Sequence, residues 1–152
     1  MTVREMKITD YEMVDRLMQQ LHKEHVEGRP DLYIPMEHIF SEKEFEEMVS
    51  DDKKIIILVE ENEEVVGICI TSMRDRSGMV NMTTAYVDEL VVDEKYRRQG
   101  IAKKLCAETE KRAKELGAVR LDLMVWSFNE RALKLYESLG MTPQRYILEK
   151  DL

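Results

Sequence analysis

The 152-residue sequence has little cysteine, proline, glycine or aromatic residue. Two cysteines, Cys69 and Cys106, are too few for a disulfide-stapled secreted fold, so we expect free thiols in a reducing cytosol. Apolar residues make up 43% of the chain, which is enough for a hydrophobic core and argues against intrinsic disorder. No apolar run reaches about 18 residues, which argues against a transmembrane helix. The charged start Met1–Lys7 lacks a signal-peptide core. We therefore expect one cytoplasmic domain, residues 1–152, without a membrane partner.

Positive charge is also in short supply, with 23 Lys and Arg against 31 Asp and Glu and a net charge of −8. This balance argues against a general nucleic-acid binder, which needs a basic surface. The charge is uneven, because residues 24–64 carry 14 acidic and four basic side chains, whereas residues 95–114 carry eight basic and two acidic ones. One segment suits a cationic ligand and the other an anionic one. His22 and His25 lie one helical turn apart, but without a third ligand we expect no metal site.

Hydropathy patterns and turn residues predict alternating strands and helices. Strands are expected at residues 2–8, 54–60, 65–73, 81–92, 119–126 and 145–149. Helices are expected at 11–26 after an Asp10 cap, from the capping box at Ser41, at 100–116 and at 129–139. A polar loop is expected at 74–80. This order predicts an α/β (α+β) domain with a mixed sheet and helices on its faces.

The sharpest local signal lies where the strand 81–92 runs into a basic loop and then a helix. The loop reads Arg97-Arg98-Gln99-Gly100-Ile101-Ala102-Lys103. A helix N-terminus offers free backbone N–H groups and the positive end of the helix dipole, and Gly100 lets a ligand approach the backbone. The cationic side chains add positive charge, so the loop predicts a phosphate-binding cradle. It is neither a P-loop nor a dinucleotide fingerprint, since the Lys-Ser/Thr pair and the three glycines are missing.

A second motif follows the strand 119–126, where Asn129 caps a short helix that carries Tyr136 and ends at Gly140. In this order the two motifs resemble the GCN5-related N-acetyltransferases (GNAT), and the resemblance covers most of the chain. It implies the GNAT fold, with a mixed, mostly antiparallel sheet of six to seven strands and helices on both faces. Two central parallel strands, 84–92 and 119–126, are then expected to splay apart in a V.

The resemblance implies acetyl-CoA as co-substrate, without a metal. Its pantetheine arm is expected to pair with the strand backbone like an added strand. The implied cofactor-binding residues are Leu90, Val91 and Val92 for the pantetheine arm, Arg97, Arg98, Gln99, Gly100, Ile101, Ala102 and Lys103 for the pyrophosphate, and Asn129 for the pantetheine region.

The catalytic assignment joins this resemblance to simple acid–base chemistry. A protonated amine is not a nucleophile, so a carboxylate must accept its proton directly or through water. Asp88 and Glu89 are the carboxylates late in the central strand, and we expect one of them to face the cleft because neighbouring strand residues point to opposite faces. Which of the two is the base stays open, and both could be ordinary polar strand residues. Tyr136 matches the family's acid for the leaving thiolate, with a core aromatic as the alternative.

The expected activity is therefore direct acetyl transfer to a primary amine. Because most of the acidic excess lies in 24–64, on the expected acceptor side, we favour a cationic acceptor, either a small molecule or a peptide. Candidates are a polyamine, an aminoglycoside, an amino acid or a peptide amine. The main alternative is a non-catalytic acyl-CoA-binding regulatory module on the same fold, and a less favoured one is an unrelated nucleotide-binding domain. The resemblance also allows a homodimer paired through the last strand at Tyr146–Leu148.

Overall fold

The computed structural model describes residues 1–75, 78 and 80–152. Of the expected polar loop 74–80, Arg74 and Asp75 extend a strand, whereas residues 76, 77 and 79 lie outside the described residues. The strands in the described part are β1 Thr2–Glu5, β2 Lys54–Glu61, β3 Glu64–Asp75, β4 Thr83–Val92 and β5 Ala118–Leu123. The α-helices there are α1 Tyr11–Gly28, α2 Glu42–Val49, α3 Ile101–Glu115 and α4 Glu130–Ser138.

The strands form one sheet in the order β1-β2-β3-β4-β5. Neighbours pair antiparallel except β4 and β5, which are parallel. β2 and β3 are joined at Asn62 and Glu63, whose φ angles are 51° and 64°. Two consecutive positive φ values match a tight hairpin turn whose twist suits the flanking strands. The strands expected at 54–60 and 65–73 are therefore joined by a hairpin turn.

The sheet separates two cores. Alternate residues of β2 enter opposite cores, with Ile56 and Leu58 packing towards α1 and α2, and Ile57 packing towards α3. This alternation is what a strand covered on both faces requires, and it explains why β2 reads as a continuous apolar run. The expected mixed sheet with helices on both faces is confirmed.

The expected strand count is wrong, because residues 145–149 form no strand and the sheet of the described residues has five strands. The stretch was expected to be a strand because Tyr146, Ile147 and Leu148 are strong strand formers, but a strand also needs a partner. Instead these three side chains are 82%, 80% and 90% exposed.

The start of α1 also differs from expectation. Asp10 does not cap α1 with its side chain. Its carboxylate instead accepts hydrogen bonds from the Lys7 backbone N–H and from both terminal nitrogens of Arg4, at 2.7 to 2.9 Å. Asp10 is buried, and this pairing ties the first strand to the start of α1. The other expected caps are present, since Ser41 accepts from Glu44 and Asn129 accepts from Ala132.

Candidate active site

A cavity of about 620 Å³ opens where β4 and β5 part. The two strands pair from Thr83 and Ala118 as far as Val87 and Leu123. Beyond that point β4 continues to Val92 with β3 alone as its partner, while the chain after Leu123 leaves the sheet. The expected splay is therefore confirmed, although β5 ends three residues earlier than predicted. One edge of β4 is left available to a ligand over residues 88–92.

The phosphate cradle closes one end of this cavity. Arg98 and Gly100 adopt the left-handed region with φ of 65° and 80°, and α3 begins at Ile101. The first N–H groups of a helix have no partner within the helix, so those of α3 are free for an anion. Gly100 suits its position because a β-carbon is disfavoured at this φ. The cradle therefore fits a pyrophosphate, with Arg98 and Lys103 lining the same cavity.

Gly67 allows α3, the helix that forms the cradle, to pack closely against the sheet. Sequence reasoning did not identify this residue. A β-carbon built on Gly67 would lie 2.7 Å from Ile101 Cγ2 and 3.2 Å from Leu105 Cδ1. Ile101 and Leu105 are buried, so neither can move aside easily. A glycine inside a strand marks such a close approach, and here it lets the first turn of α3 lie against the sheet.

Asp93 fixes the other end of the loop that leads into the cradle. Its carboxylate is buried and accepts hydrogen bonds from Arg16 on α1 and from the Lys95 backbone N–H. Burial alone would raise the pKa of Asp93, but the hydrogen bond from Arg16 and that from the Lys95 N–H outweigh it and lower the pKa. The loop therefore leaves β4 in a defined direction.

Asp88 is an extra residue in β4. The pairing with β3 shifts between Ile70, which lies opposite Glu89, and Thr71, which lies opposite Val87. This shift is a β-bulge, in which two residues of one strand oppose one of the other. Val87 before the bulge and Leu90 after it both pack on the α3 side of the sheet.

The bulge brings both carboxylates to the α1 side of the sheet. Ile70, opposite Glu89, packs in the α1 core, and residues directly opposite one another share a face. Asp88 accepts a hydrogen bond from Ser72 on the same face. Both residues line the cavity. The expectation that Asp88 and Glu89 point to opposite faces is therefore wrong, because strict alternation holds only in an unbulged strand.

The two carboxylates differ in their surroundings. Asp88 is held by Ser72, and its Oδ1 lies 3.5 Å from a terminal nitrogen of Arg74. Glu89 has no hydrogen-bond or ion-pair partner within the described part of the chain. Burial, together with the charge of Asp88, raises the pKa of Glu89 to about 7. A carboxylate with this pKa can both accept and release a proton near neutral pH.

Tyr136 reaches the cavity from α4. Burial raises the pKa of its hydroxyl to about 12, with smaller contributions from Cys106, Cys69 and Glu89. The hydroxyl therefore stays protonated at neutral pH and can act as a proton donor. Asn129 begins this helix, and its side-chain oxygen accepts the Ala132 N–H at 3.1 Å. Cys106 is buried with its thiol pKa raised to about 12 by burial, which makes it a poor nucleophile.

An aromatic cluster lies beside the cavity, and two of its members, His25 and Trp126, line it. His25 of α1 stacks on Tyr33 with ring centroids 5.0 Å apart, and Trp126 Nε1 donates to the Tyr33 hydroxyl at 3.0 Å. Phe128 stacks on Trp126 and covers Gly28, where an added β-carbon would lie 2.3 Å from Phe128 Cζ. Burial, and secondarily His22, lowers the pKa of His25. These rings join α1, the loop after it and the chain beyond β5.

Arg97 pairs with a carboxylate of the protein, whereas the sequence predicted that it binds the pyrophosphate. Its guanidinium lies 2.6 Å from a carboxylate oxygen of Glu24 on α1, and its Nε donates to the Val92 carbonyl at 3.3 Å. Arg131 of α4 lies 3.3 Å from both oxygens of Glu24. Glu24 lies three residues after Leu21 and one before His25 on α1, and all three line the cavity, so helical spacing was the signal that could have found it.

The structure brings nearly all of the predicted site residues together. Every one of the fourteen except Gln99 lines the cavity, and Gln99 is exposed in the loop before it. The acidic side chains of residues 24–64 were expected on the acceptor side of the site. Of these side chains, Glu24 alone is among the cavity-lining residues. Several others have partners elsewhere, such as Glu60 with Arg4 and Glu61 with the N-terminal amine. The segment's charge therefore does not form the acceptor side.

Among the residues that the structure describes, no helix is both long and apolar enough to cross a membrane. No group of three or more His, Cys, Asp or Glu side chains suited to a metal ion is found in this same part of the chain. His22 instead contacts the carbonyl oxygen of Ile34 through Nε2 at 2.6 Å.

Comparison with known protein families gives the class to which the chain belongs. A profile of the Acetyltransferase (GNAT) family matches residues 14–141. The chain therefore belongs to the GNAT family, and the resemblance noted in the sequence is confirmed.

Individual proteins show how close the likeness is. A mutant of the BH1408 protein from Bacillus halodurans matches with a TM-score of 0.95 and 30% identity, covering 100% of this chain and 99% of that chain. Aminoglycoside N-acetyltransferase AAC(6′)-Iy in complex with CoA shares the fold, with a TM-score of 0.74, 18% identity and 99% of both chains covered. The uncharacterized N-acetyltransferase YycN of Bacillus subtilis (strain 168) is 32% identical over 68 residues, 45% of this chain. That match covers 44% of YycN, so the chain spans less than half the length of such curated relatives.

Proposed function

We propose that the protein is an acetyl-CoA-dependent N-acetyltransferase that transfers the acetyl group directly to a primary amine. The observation that carries the proposal is the placement of Glu89 and Tyr136 on one cavity that also ends in the phosphate cradle. The raised pKa of Glu89, about 7, suits a proton acceptor at neutral pH, and the Tyr136 hydroxyl, with its pKa of about 12, carries a proton there. The family assignment supports this reading.

Acetyl-CoA supplies the activated acetyl group as a thioester. Backbone N–H groups at the start of α3, with Arg98 and Lys103, are suited to hold its pyrophosphate. The free edge of β4 at Leu90–Val92 offers backbone groups to an extended arm that carries amides. The CoA complex of AAC(6′)-Iy, which shares the fold, is consistent with this use of the cavity.

Two side chains handle the protons of the reaction. Glu89 removes a proton from the acceptor ammonium, directly or through water, and so creates the nucleophilic amine. Tyr136 gives its hydroxyl proton to the departing sulfur. Burial, and secondarily the charge of Asp88 on the same face, keeps the pKa of Glu89 high enough for it to accept that proton.

The acceptor is proposed to be a cationic amine such as a polyamine, an aminoglycoside, an amino acid or a peptide amine. Support comes from Asp88 and Glu89, two carboxylates that line the cavity from one face of β4, and not from the segment charge of 24–64. Carboxylates in a partly enclosed site concentrate cations and repel anions. The ring of Trp126, which lines the cavity, adds a surface suited to the apolar stem of such an amine.

A panel of amines tests the function. Release of free CoA thiol from acetyl-CoA is measured with spermidine, kanamycin, lysine, a peptide amine and glutamate as acceptors. We expect turnover of at least one cationic amine and little with glutamate. CoA binding without turnover of any amine would favour the non-catalytic acyl-CoA-binding module.

Tyr136→Phe isolates the proposed acid, because it removes the hydroxyl and keeps the ring. We expect kcat to fall about 10- to 100-fold with unchanged CoA affinity, since general acid–base groups contribute about 10²- to 10⁴-fold and water can partly replace a lost donor. An unchanged kcat would remove Tyr136 from the mechanism.

We also propose a homodimer joined through the C-terminal segment. Among the described residues, β5 pairs with β4 alone, so its second edge is open. The exposed side chains of Tyr146, Ile147 and Leu148 form an apolar stretch that a second copy could cover. Light scattering should give twice the monomer mass, and Ile147→Asp should reduce it to the monomer.

A further inference from the structure

Glu24 is a carboxylate shared between two arginines on the cofactor side of the cavity. It lies 2.6 Å from Arg97 and 3.3 Å from Arg131, measured between oxygen and terminal nitrogen. The three side chains come from α1, the loop after β4 and the first turn of α4, and all three line the cavity. The bridge therefore crosses from the acceptor side to the cofactor side.

Several cationic side chains lie at this end of the cavity. Arg97 and Arg131 already have a carboxylate partner, which is Glu24. Arg98 and Lys103 line the same cavity, and within the described part of the chain neither makes an ion pair with a carboxylate. A pyrophosphate bound at the start of α3 carries more negative charge than Glu24. Guanidinium groups bind phosphate oxygens in a bidentate manner, so phosphate competes well for Arg97 and Arg131.

Release of the arginines leaves Glu24 in need of a new cation. Its side chain is 30% exposed, so water reaches only part of it. A partly shielded carboxylate that loses its partners gains from a new cation, and a positive group of a bound molecule can replace the arginines. Leu21 and His25, on the same helix, bring this part of α1 to the cavity wall together with Glu24.

We propose that Glu24 holds Arg97 and Arg131 until the phosphates of CoA replace it, and then binds a second ammonium group of the acceptor. This inference rests on the proposed function and names one specificity-determining residue within it. Binding of CoA then raises the affinity for a diamine, and, because binding free energies are reciprocal, the diamine raises the affinity for CoA by the same factor. An amine with a single charge shows no such coupling.

The first experiment tests whether Glu24 competes with the phosphates for the arginines. Calorimetric titration measures the affinity for CoA and for pantetheine, which lacks the phosphates. Glu24→Gln keeps the shape and removes the charge. We expect it to bind CoA about two- to fivefold more tightly, the range for a partly exposed ion pair, and to bind pantetheine as the parent protein does. Glu27→Gln is the matched control, since Glu27 is on the same helix and lies 4.0 Å from Lys23.

The second experiment measures the coupling with putrescine and butylamine, which differ by one ammonium group. We expect saturating CoA to raise putrescine affinity severalfold in the parent protein and in Glu27→Gln, and to leave it unchanged in Glu24→Gln. Butylamine affinity should be insensitive to CoA in all three proteins.

The outcomes separate this inference from the function beneath it. If the parent protein binds no CoA or acetylates no amine, the proposed function fails, and this inference fails with it. If the parent protein is active but Glu24→Gln shows the parental CoA affinity and coupling, the inference alone is overturned. Weaker CoA binding by Glu24→Gln would also overturn it, because Glu24 would then be orienting the arginines for the phosphates.

Discussion

The phosphate cradle is made from one short stretch, Arg97–Lys103, whereas the aromatic cluster is assembled from parts that are far apart in the chain. The hydrogen bond between Tyr33 and Trp126 joins residues 93 positions apart, and Phe128 covers Gly28, a residue 100 positions earlier. A loop-to-helix turn is set by local backbone preferences, but a cluster of this kind exists only after the sheet and helices have packed. This contrast suggests that the acceptor side can vary in sequence while the cradle stays as it is.

The largest expected effect lies where the two sides meet, at Glu89. Glu89→Gln keeps the size but removes the base, so we expect kcat/KM to fall about 100- to 10,000-fold. In the parent protein kcat/KM should fall as the pH drops below about 7, because protonated Glu89 cannot accept a proton. Steady-state rates between pH 5.5 and 8.5, read as thiol release, check both statements. A variant with parental activity would exclude Glu89 as the base.

Gly67→Ala should damage the cradle side. The new methyl group would meet the buried Ile101 at 2.7 Å, so the first turn of α3 must shift. We expect a loss of about 1–3 kcal/mol in the free energy of unfolding, as for other overpacked cores, and weaker CoA binding. Urea unfolding and CoA titration measure the two effects. A CoA affinity of Gly67→Ala equal to that of the parent protein would show that the cradle does not depend on the close packing of α3 against Gly67.

Gly28→Ala is the matching change on the acceptor side. Its methyl group would meet Phe128 at 2.3 Å, but this ring is 38% exposed and can turn outwards. We therefore expect little loss of stability, a higher KM for the amine and unchanged CoA affinity. If the two glycine variants changed the same parameter, the separation between cradle and acceptor side would be wrong.

Asp88→Asn should give the smallest effect, a shift in pH dependence. The substitution removes a negative charge that helps to raise the pKa of Glu89, while burial, the larger cause, remains. The pKa of Glu89 should fall, so the midpoint of the kcat/KM profile moves to lower pH by less than the full difference from an exposed glutamate. A shift to higher pH would contradict the placement of the two carboxylates on one face.

Sequence reasoning predicted the loop and the start of α3 around Gly100 correctly, because the required residues are consecutive and their backbone needs are local. Gly100 at a positive φ and Asn129 as a helix cap are features of this kind. It did not find Gly67 or the link between Glu24 and Arg131, because neither contact exists before the elements pack. It also expected a strand at 145–149 from residue preferences alone, although no sheet edge within the described chain takes it up.

The bulge in β4 has a consequence for anyone who moves pieces of this chain into another scaffold. One additional residue, Asp88, reverses the odd–even parity of everything after it, so Leu90 and Val92 keep to the α3 side. A graft of the strand end and cradle that begins after Asp88 would arrive with inside and outside exchanged. The shortest segment that can be transferred therefore starts at Val87, where the side chains still follow the alternation of faces that precedes the bulge.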